Sequence, residues 1–385
     1  MVKNLGNHTL FILTRNRPQW IEYSLNFYAN FRYTGTILIA DDSEDAEFEK
    51  SSQIVKKFKS QLKIKHIQGE GRGLPTRKKR YCMTRYYAVQ EIDTDYYSQT
   101  GDDDIFFTPE LFKAIDFLDK NSEYNYVQGS MVQVYLDDKM NIIKTGDTWS
   151  PTCDYDDPLD RISHYAYHLG CPLLGVNRTK PLKDLIKIEK ELGWPPFARK
   201  NTDGLEYFDE ELSWSLQIYA SGKIGRIKEC FLYFRLKTTP TKKEDRIENL
   251  YLHDDLKNNY VIGPIANIYQ NSLPSCVNET HREIFSFLKL YGTKYSKEDC
   301  DFQISQCLWR LITRHNGAGL LKIKTKFSQN FQLVTKKNLI SKINFFVKRL
   351  LLVIKNFKFY FKLKKGYYSF KEQHDKLKKT IFGVN

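Results

Sequence analysis

Tyr96-Tyr97-Ser98-Gln99-Thr100-Gly101-Asp102-Asp103-Asp104-Ile105-Phe106-Phe107-Thr108-Pro109 is the stretch whose reading decides the fold. It begins as a short strand, runs into three adjacent carboxylates, and turns at Pro109-Glu110 into a helix, since proline and an acidic residue both suit a first helical turn. Three carboxylates at a strand end repel one another unless a cation sits among them or water screens them. Mg²⁺ and ions like it take oxygen ligands, commonly one or two carboxylates, and share the rest of their shell with phosphates. The triplet therefore reads as a metal–diphosphate site. Its alternative is an acidic turn that caps the following helix.

The preceding sequence makes that strand one of a series. His8 to Leu13 reads as a buried strand, followed by the polar turn Thr14-Arg15-Asn16-Arg17-Pro18 and by Trp20, Leu25, Tyr28 and Phe31 at helical spacing. Thr36 to Ala40 is a second strand ending in Asp41-Asp42-Ser43. A helix over Asp45–Phe58, a strand over Leu62–Ile67, a glycine-bearing loop at Gly69 to Gly73 and a helix over Thr76–Ile92 complete the run. Alternating strands and helices predict a parallel α/β sheet. Ligands bind such sheets beyond the carboxyl ends of the strands. Thr14, Arg15, Asp41, Asp42 and the acidic triplet all fall on that rim.

Further along, Asn125–Tyr135, Cys171–Val176 and Ile224–Phe234 read as strands, Asp184–Leu192 as a helix, and Ser150–Arg161 as an Asp-rich mobile loop. Carboxylates Asp209, Glu210 and Glu211 open a helix carrying Leu212, Leu216 and Tyr219 on one face and stopped by Gly222. The expected organisation is a catalytic domain over 1–237, a connecting segment over 238–275, and a helical, basic region over 276–385.

Composition bounds the rest. The 385 residues are 41% hydrophobic and 14% aromatic, enough for a sizeable core. Seven scattered cysteines with no C-x-x-C pair point to reduced thiols in a cytoplasm. The first apolar run, Leu10-Phe11-Ile12-Leu13, is too short for a secretory signal, and no stretch approaches the roughly 20 apolar residues of a spanning helix. The net charge of +14 is uneven: the part from Leu320 onward carries +15 and the rest −1. A basic tail on a neutral body calls for an anionic partner.

In order and spacing, these pieces resemble the GT-A fold glycosyltransferases, specifically the family 2-like group of bacterial envelope polysaccharide enzymes, over about residues 8 to 235. Phe11 to Arg17 looks like that family's first nucleotide-contacting loop. Ile37 to Ser43 looks like its second strand, Asp102-Asp103-Asp104 like its DxD motif, and Asp209 to Trp214 like the segment carrying its catalytic base. The resemblance implies a Rossmann-like mixed α/β sheet flanked by helices, with a C-terminal helical extension. It also implies transfer of a sugar from a nucleotide-diphosphate donor to a hydroxyl of a glycan or glycolipid acceptor, with inversion and with Mn²⁺ or Mg²⁺ as cofactor.

The roles that follow are expectations. Asp102 and Asp104 hold the ion, directly or through water, and Asp103, between them, faces the opposite side of the strand or the donor sugar. Thr14, Arg15, Arg17, Asp41 and Asp42 contact the nucleotide. Arg77 and Arg80, in a basic run that includes Arg72, Lys78 and Lys79, meet the diphosphate; the plain alternative for that run is a solvated helix face. A base among Asp209, Glu210 and Glu211 takes the acceptor proton. Alignment on Leu212-Ser213-Trp214 favours Asp209, whereas counting back from Gly222 favours Glu210 or Glu211.

The tail has its own pattern. Over Asn338–Lys365, Lys342, Arg349 and Asn356 recur at seven-residue spacing, as do Lys348, Lys355 and Lys362, with Ile343, Phe346, Leu350, Val353, Phe357 and Phe361 between them. A basic amphipathic helix of this kind binds an anionic membrane surface, placing the protein on the inner face of the cell membrane; its alternative is a helix packed on the catalytic domain. Nucleic acid is not the expected partner, because the body is neutral and the tail apolar-rich. A sugar nucleotidyltransferase would need a glycine-rich loop after strand one, and Thr14 to Pro18 has no glycine.

Overall fold

The computed structural model describes residues 5–70, 77–137, 139–148, 152–168, 174–191, 213–238, 282, 284–300 and 357–382. The first half alternates as its sequence predicts. Strand β1 (His8–Thr14) leads to helix α1 (Pro18–Asn30), β2 (Thr36–Asp41) to α2 (Asp45–Phe58), and β3 (Lys63–Gln68) to α3 (Arg77–Ala88). Strand β4 (Tyr96–Gly101) follows, then β5 (Asp104–Phe106), α4 (Thr108–Lys120), β6 (Tyr124–Leu136) and β7 (Ile142–Thr148). Helix α5 (Pro158–His168), β8 (Val176–Arg178), α6 (Thr179–Glu191), α7 (Ser213–Ser221) and β9 (Lys223–Thr238) complete the α/β part, and α8 (Phe357–Phe382) lies near the C-terminus.

These strands form one sheet in the order β3-β2-β1-β4-β8-β6-β9-β5, with β7 paired to β6. Strands β3, β2, β1 and β4 run parallel, whereas β8 joins β4 antiparallel and β5 joins β9 antiparallel. All seven residues of β1 are buried, as a parallel strand covered on both faces requires. Side-chain alternation sorts them into two cores. Leu10, Ile12, Ile37 and Ile39 pack with α1, α2 and α4, while Phe11, Leu13, Leu38 and Ala40 pack with α3, α5, α6 and α7. Edge strand β3 carries the exposed Lys63 and Lys65, which discourage pairing with another chain. This is the Rossmann-like mixed sheet between helical layers that the sequence implies.

The chain departs from the sequence reading in the details that build the site. The acidic stretch is divided: β4 ends at Gly101, Asp102 and Asp103 make the turn, and Asp104 opens β5, which pairs with β9 through Asp104 opposite Arg235. Strands β5 and β7 were not expected. Residues 158–161, read as part of a mobile loop, open α5; the Asp157 carboxylate accepts the Leu159 N–H at 2.8 Å, a side-chain cap. Helix α6 starts at Thr179 instead of Asp184.

Two parts of the C-terminal region lie on the α/β body. On one face, the Phe370 ring of α8 stacks on Phe234 at 4.2 Å. His374 is fully buried between the Tyr23 hydroxyl, which donates to Nδ1 at 2.9 Å, and the Met140 carbonyl, which accepts from Nε2 at 2.8 Å. Burial holds its pKa below the ordinary value, so the ring is neutral and its two nitrogens divide the acceptor and donor roles. On the other face, Ile284, Phe287, Leu288 and Cys300 join the core, and the Tyr291 and Tyr295 hydroxyls donate to Asp184 and Asp160. Of the proposed basic amphipathic helix over 338–365, residues 338–356 lie outside the described residues, as does most of the 238–275 segment.

Candidate functional site

The rim formed by the C-terminal ends of β1, β2 and β4 gathers most of the expected donor-site residues. Asp102 is the centre. Its Oδ2 accepts from the Thr14 hydroxyl at 2.6 Å, its Oδ1 meets Arg17 Nη1 at 2.8 Å, and its backbone carbonyl accepts from Ser24 Oγ at 2.6 Å. The side chain is only 4% exposed. Burial pushes the Asp102 carboxyl up to about 7; Asp103 and Asp41 add to that rise, and Arg17 and the Thr14 hydroxyl oppose it. Asp103, partly buried, takes the second prong of Arg17 at 3.0 Å. The guanidinium also lies over the Trp20 ring, 5.0 Å from its centroid. Burial works against the Arg17 charge, but Asp102, Asp103 and Asp104 outweigh it and hold its pKa above the ordinary value.

Asp104 is engaged elsewhere. Its Oδ2 accepts from the Tyr233 hydroxyl at 2.6 Å and its Oδ1 from the Leu236 N–H at 2.9 Å, tying β5 to β9. This carboxylate therefore serves the sheet.

The two loops flanking the site are clipped together. Asn16 sits in the left-handed region at φ 53°, which asparagine tolerates better than most residues. Its N–H donates to Ser43 Oγ at 2.6 Å, and its Oδ1 accepts the Glu44 N–H at 2.9 Å. The Asp42 N–H reaches the Thr14 carbonyl at 3.0 Å, and Arg15 pairs with Glu44 at 3.0 Å. Behind this clip, the fully buried Asp41 accepts the Ser43 N–H at 3.0 Å and faces His66 Nε2 at 3.3 Å. His66 stacks on Phe48, with ring centroids 4.7 Å apart. Gly69 closes the floor: a Cβ there would come within 2.6 Å of Thr84 Oγ1 and 3.0 Å of the Asp42 Cα.

Thr14, Arg17, Asp41, Asp42, Asp102 and Asp103 thus share one rim, with Arg15 beside them. Arg77 and Arg80 lie in the first turn of α3, whose start follows the Gly69 loop; their side chains fall outside the described residues, as do Asp209, Glu210 and Glu211 entirely. Helix α7 begins two residues after Glu211. Its C-terminal end is held by the buried Arg161, which donates to the Tyr219 and Ala220 carbonyls at 2.7 Å each and to those of Tyr155 and Asp156. His164 and His168 both lie on α5, where His164 packs on Tyr155.

Sequence reading did not single out Asn16, Trp20, Ser24 or His66. Only Asn16 carried a local signal, as an asparagine in a tight turn. The other three reach the site through neighbouring elements.

The donor set suits a hard divalent cation: oxygen atoms only, from adjacent carboxylates, one of them reaching solvent. Among the described residues, no three His, Cys, Asp or Glu side chains form a cage on their own. Asp102 and Asp103 are the residues best placed to hold the cation, with Asp104 adjoining.

No family model and no curated protein matches the chain. Among solved structures it is similar to S. aureus TarS, at 18% identity over 84% of this chain and 46% of that one, with a TM-score of 0.45. It is likewise similar to S. aureus TarS 1-349 in complex with UDP-GlcNAc, at 18% identity over 84% and 77% with a TM-score of 0.47, and in complex with UDP, at 17% over 84% and 77% with a TM-score of 0.43. The chain therefore spans less than half the length of the longer TarS. Among the described residues, no helix is long and apolar enough to cross a membrane. The sheet itself is Rossmann-like: a parallel β3-β2-β1-β4 half is joined antiparallel through β8 to the parallel pair β6 and β9, and the acidic segment follows the carboxyl end of β4.

Proposed function

We propose that this protein is a glycosyltransferase that moves a sugar from a nucleoside-diphosphate donor to a hydroxyl acceptor. One observation carries the reading. A buried carboxylate, Asp102, directly follows the parallel strand β4, clasped by Thr14 at the end of β1 and by Arg17 of the loop after it, in the crevice where parallel α/β sheets bind ligands. Asp41, at the end of β2 on the far side of β1, and Asp42 just after it are the residues to receive the base or ribose.

Glycosyl transfer breaks an anomeric C–O bond and releases a nucleoside diphosphate. A divalent ion, Mn²⁺ or Mg²⁺, supplies charge neutralisation to that leaving group when bound. The chain's own part is to present Asp102 and Asp103 as oxygen ligands and to offer Arg17, with Arg77 and Arg80 at the start of α3, to the phosphates. The acceptor hydroxyl needs a base on the opposite side of the anomeric carbon, because the metal-side carboxylates serve only the leaving group. Asp209, with Glu210 and Glu211 as alternatives, is assigned that role from the sequence resemblance, and the outcome is inversion.

The acceptor is a glycan or glycolipid of a surface polysaccharide route. The basic stretch over 338–365 is assigned to an anionic membrane surface, which places the enzyme on the cytoplasmic side.

A thermal-shift screen of nucleoside diphosphates, with and without Mn²⁺, tests the reading. Ligand at about 100 times Kd stabilises by about 2.7 kcal/mol. One nucleotide family should raise the melting temperature, more so with metal. A flat response across all nucleotides in both conditions would remove the proposal.

A further inference from the structure

We propose that Arg17 is the resident counter-ion of the acidic turn, and that it makes metal binding conditional on the diphosphate. This rests on the donor-site reading above and says how that site is regulated. Arg17 Nη1 lies 2.8 Å from Asp102 Oδ1 and Nη2 lies 3.0 Å from Asp103 Oδ2, so one guanidinium spans the two carboxylates best placed for the ion. A planar, two-pronged cation is suited to bridging two acceptors in this way, where an ammonium is a point charge. Trp20 supports the guanidinium from its face, at 5.0 Å. The remaining oxygen of Asp102 is taken by Thr14 at 2.6 Å. Arg17 therefore already makes the contacts that a divalent cation would make to Asp102 and Asp103, with one positive charge in place of two.

Two cations cannot share those oxygens at full strength. Arg17 must give up at least one carboxylate before an ion can be held there, and by itself that exchange trades one favourable pair for another. A diphosphate changes the balance, because it offers the guanidinium new anionic oxygens beside the same turn. Arg17 moves to the phosphates, and Asp102 and Asp103 are released together. The guanidinium is 35% exposed and sits at the first residue before α1, so it has room for that movement. Coupling of this kind is reciprocal: the diphosphate strengthens metal binding by the same factor as metal strengthens diphosphate binding.

The test uses the full chain and three calorimetric titrations each of wild type, Arg17→Gln and Arg17→Lys: Mn²⁺ alone, nucleoside diphosphate alone, and Mn²⁺ in saturating nucleoside diphosphate. The nucleotide is the one that stabilises wild type most. Arg17→Gln is expected to bind Mn²⁺ alone about tenfold tighter than wild type, and this gain is expected to vanish or reverse once the diphosphate is present. Arg17→Lys keeps the charge but not the two-pronged reach, and should show a smaller gain in the same direction. Thermal melts confirm that each variant is folded, and the lysine variant keeps the test open if the glutamine variant is not.

Unchanged or weaker binding of Mn²⁺ alone in both variants overturns the proposal. So does a gain of equal size with and without diphosphate, which would report only the loss of a nearby positive charge. If wild type binds no nucleoside diphosphate under any condition, the donor-site reading itself has failed.

Discussion

Replacing Thr14 by Val tests how the Asp102 carboxyl is held. Valine keeps the branched shape but removes the hydroxyl that donates to Asp102 Oδ2 at 2.6 Å. A hydrogen bond to a charged group contributes about 1.5–3 kcal/mol, and one pKa unit corresponds to 1.36 kcal/mol. The Asp102 pKa, about 7 with that bond in place, should therefore rise by about one to two units. Because a cation binds the ionised carboxylate, Mn²⁺-dependent nucleotide binding should strengthen as pH rises through about 7 in wild type and only at higher pH in the variant.

The effect on stability has the opposite sign. Asp102 has a folded-state pKa above its unfolded value, so the native chain keeps a proton that the unfolded chain releases. Its contribution is complete below about pH 4 and is lost as pH rises through about 7. Thr14→Val should be destabilised more at pH 9 than at pH 5. Calorimetric titrations at half-unit pH steps, with urea unfolding at pH 5 and 9, measure both effects. A binding midpoint unmoved by the substitution would show that this hydrogen bond does not set the ionisation used in binding.

Further outcomes concern the base pocket, the docked helix and the catalytic base. His66→Gln removes the Nε2 contact to Asp41 and the stack on Phe48; nucleoside diphosphate should bind about two- to tenfold more weakly, with kcat at saturating donor little changed. Equal affinity would mean that Asp41 does not depend on His66 for its placement. Phe370→Ala empties a fully buried position stacked on Phe234 and should cost about 3–5 kcal/mol, read as a lower urea midpoint of the main transition. A separate early transition with the main one unmoved would show instead that α8 unfolds independently. Asp209→Asn should retain donor affinity and lose about 10²–10⁴ in kcat. Normal turnover in it, with loss in Glu210→Gln or Glu211→Gln, would move the base along the segment.

The parallel half of the sheet was legible because its signals are local. Buried runs such as Leu10 to Leu13 and Ile37 to Ala40 alternate with helical spacing, and each strand ends in polar residues that the parallel register must align on one rim. The mixed half beyond β4 was harder. β5 is three residues long and exists because it pairs with β9, more than a hundred residues away. α5 begins inside an Asp-rich stretch whose cap, Asp157, reads as loop chemistry until its hydrogen bond is seen.

The site divides along the same line. Thr14, Arg17, Asp41 and Asp102 were visible as polar residues at strand ends. Their partners Ser24 and His66 sit within a helix and an edge strand, where nothing local marks them. The split of the acidic stretch between a turn and β5, which turns Asp104 toward Tyr233 and Leu236, depends on long-range pairing that no spacing along the chain reveals.

Asp102→Asn bears most directly on the central claim. Asparagine keeps the size of the side chain but cannot carry the charge that the ion and Arg17 address. Calorimetric titration of nucleoside diphosphate into wild type should show binding that Mn²⁺ strengthens. In the variant that metal-dependent gain should fall by roughly thirtyfold or more, the scale on which a buried charge partner is lost, while the variant still unfolds cooperatively. A folded Asp102→Asn protein that binds nucleoside diphosphate with the full wild-type response to Mn²⁺ would contradict the assignment of this rim as the donor site.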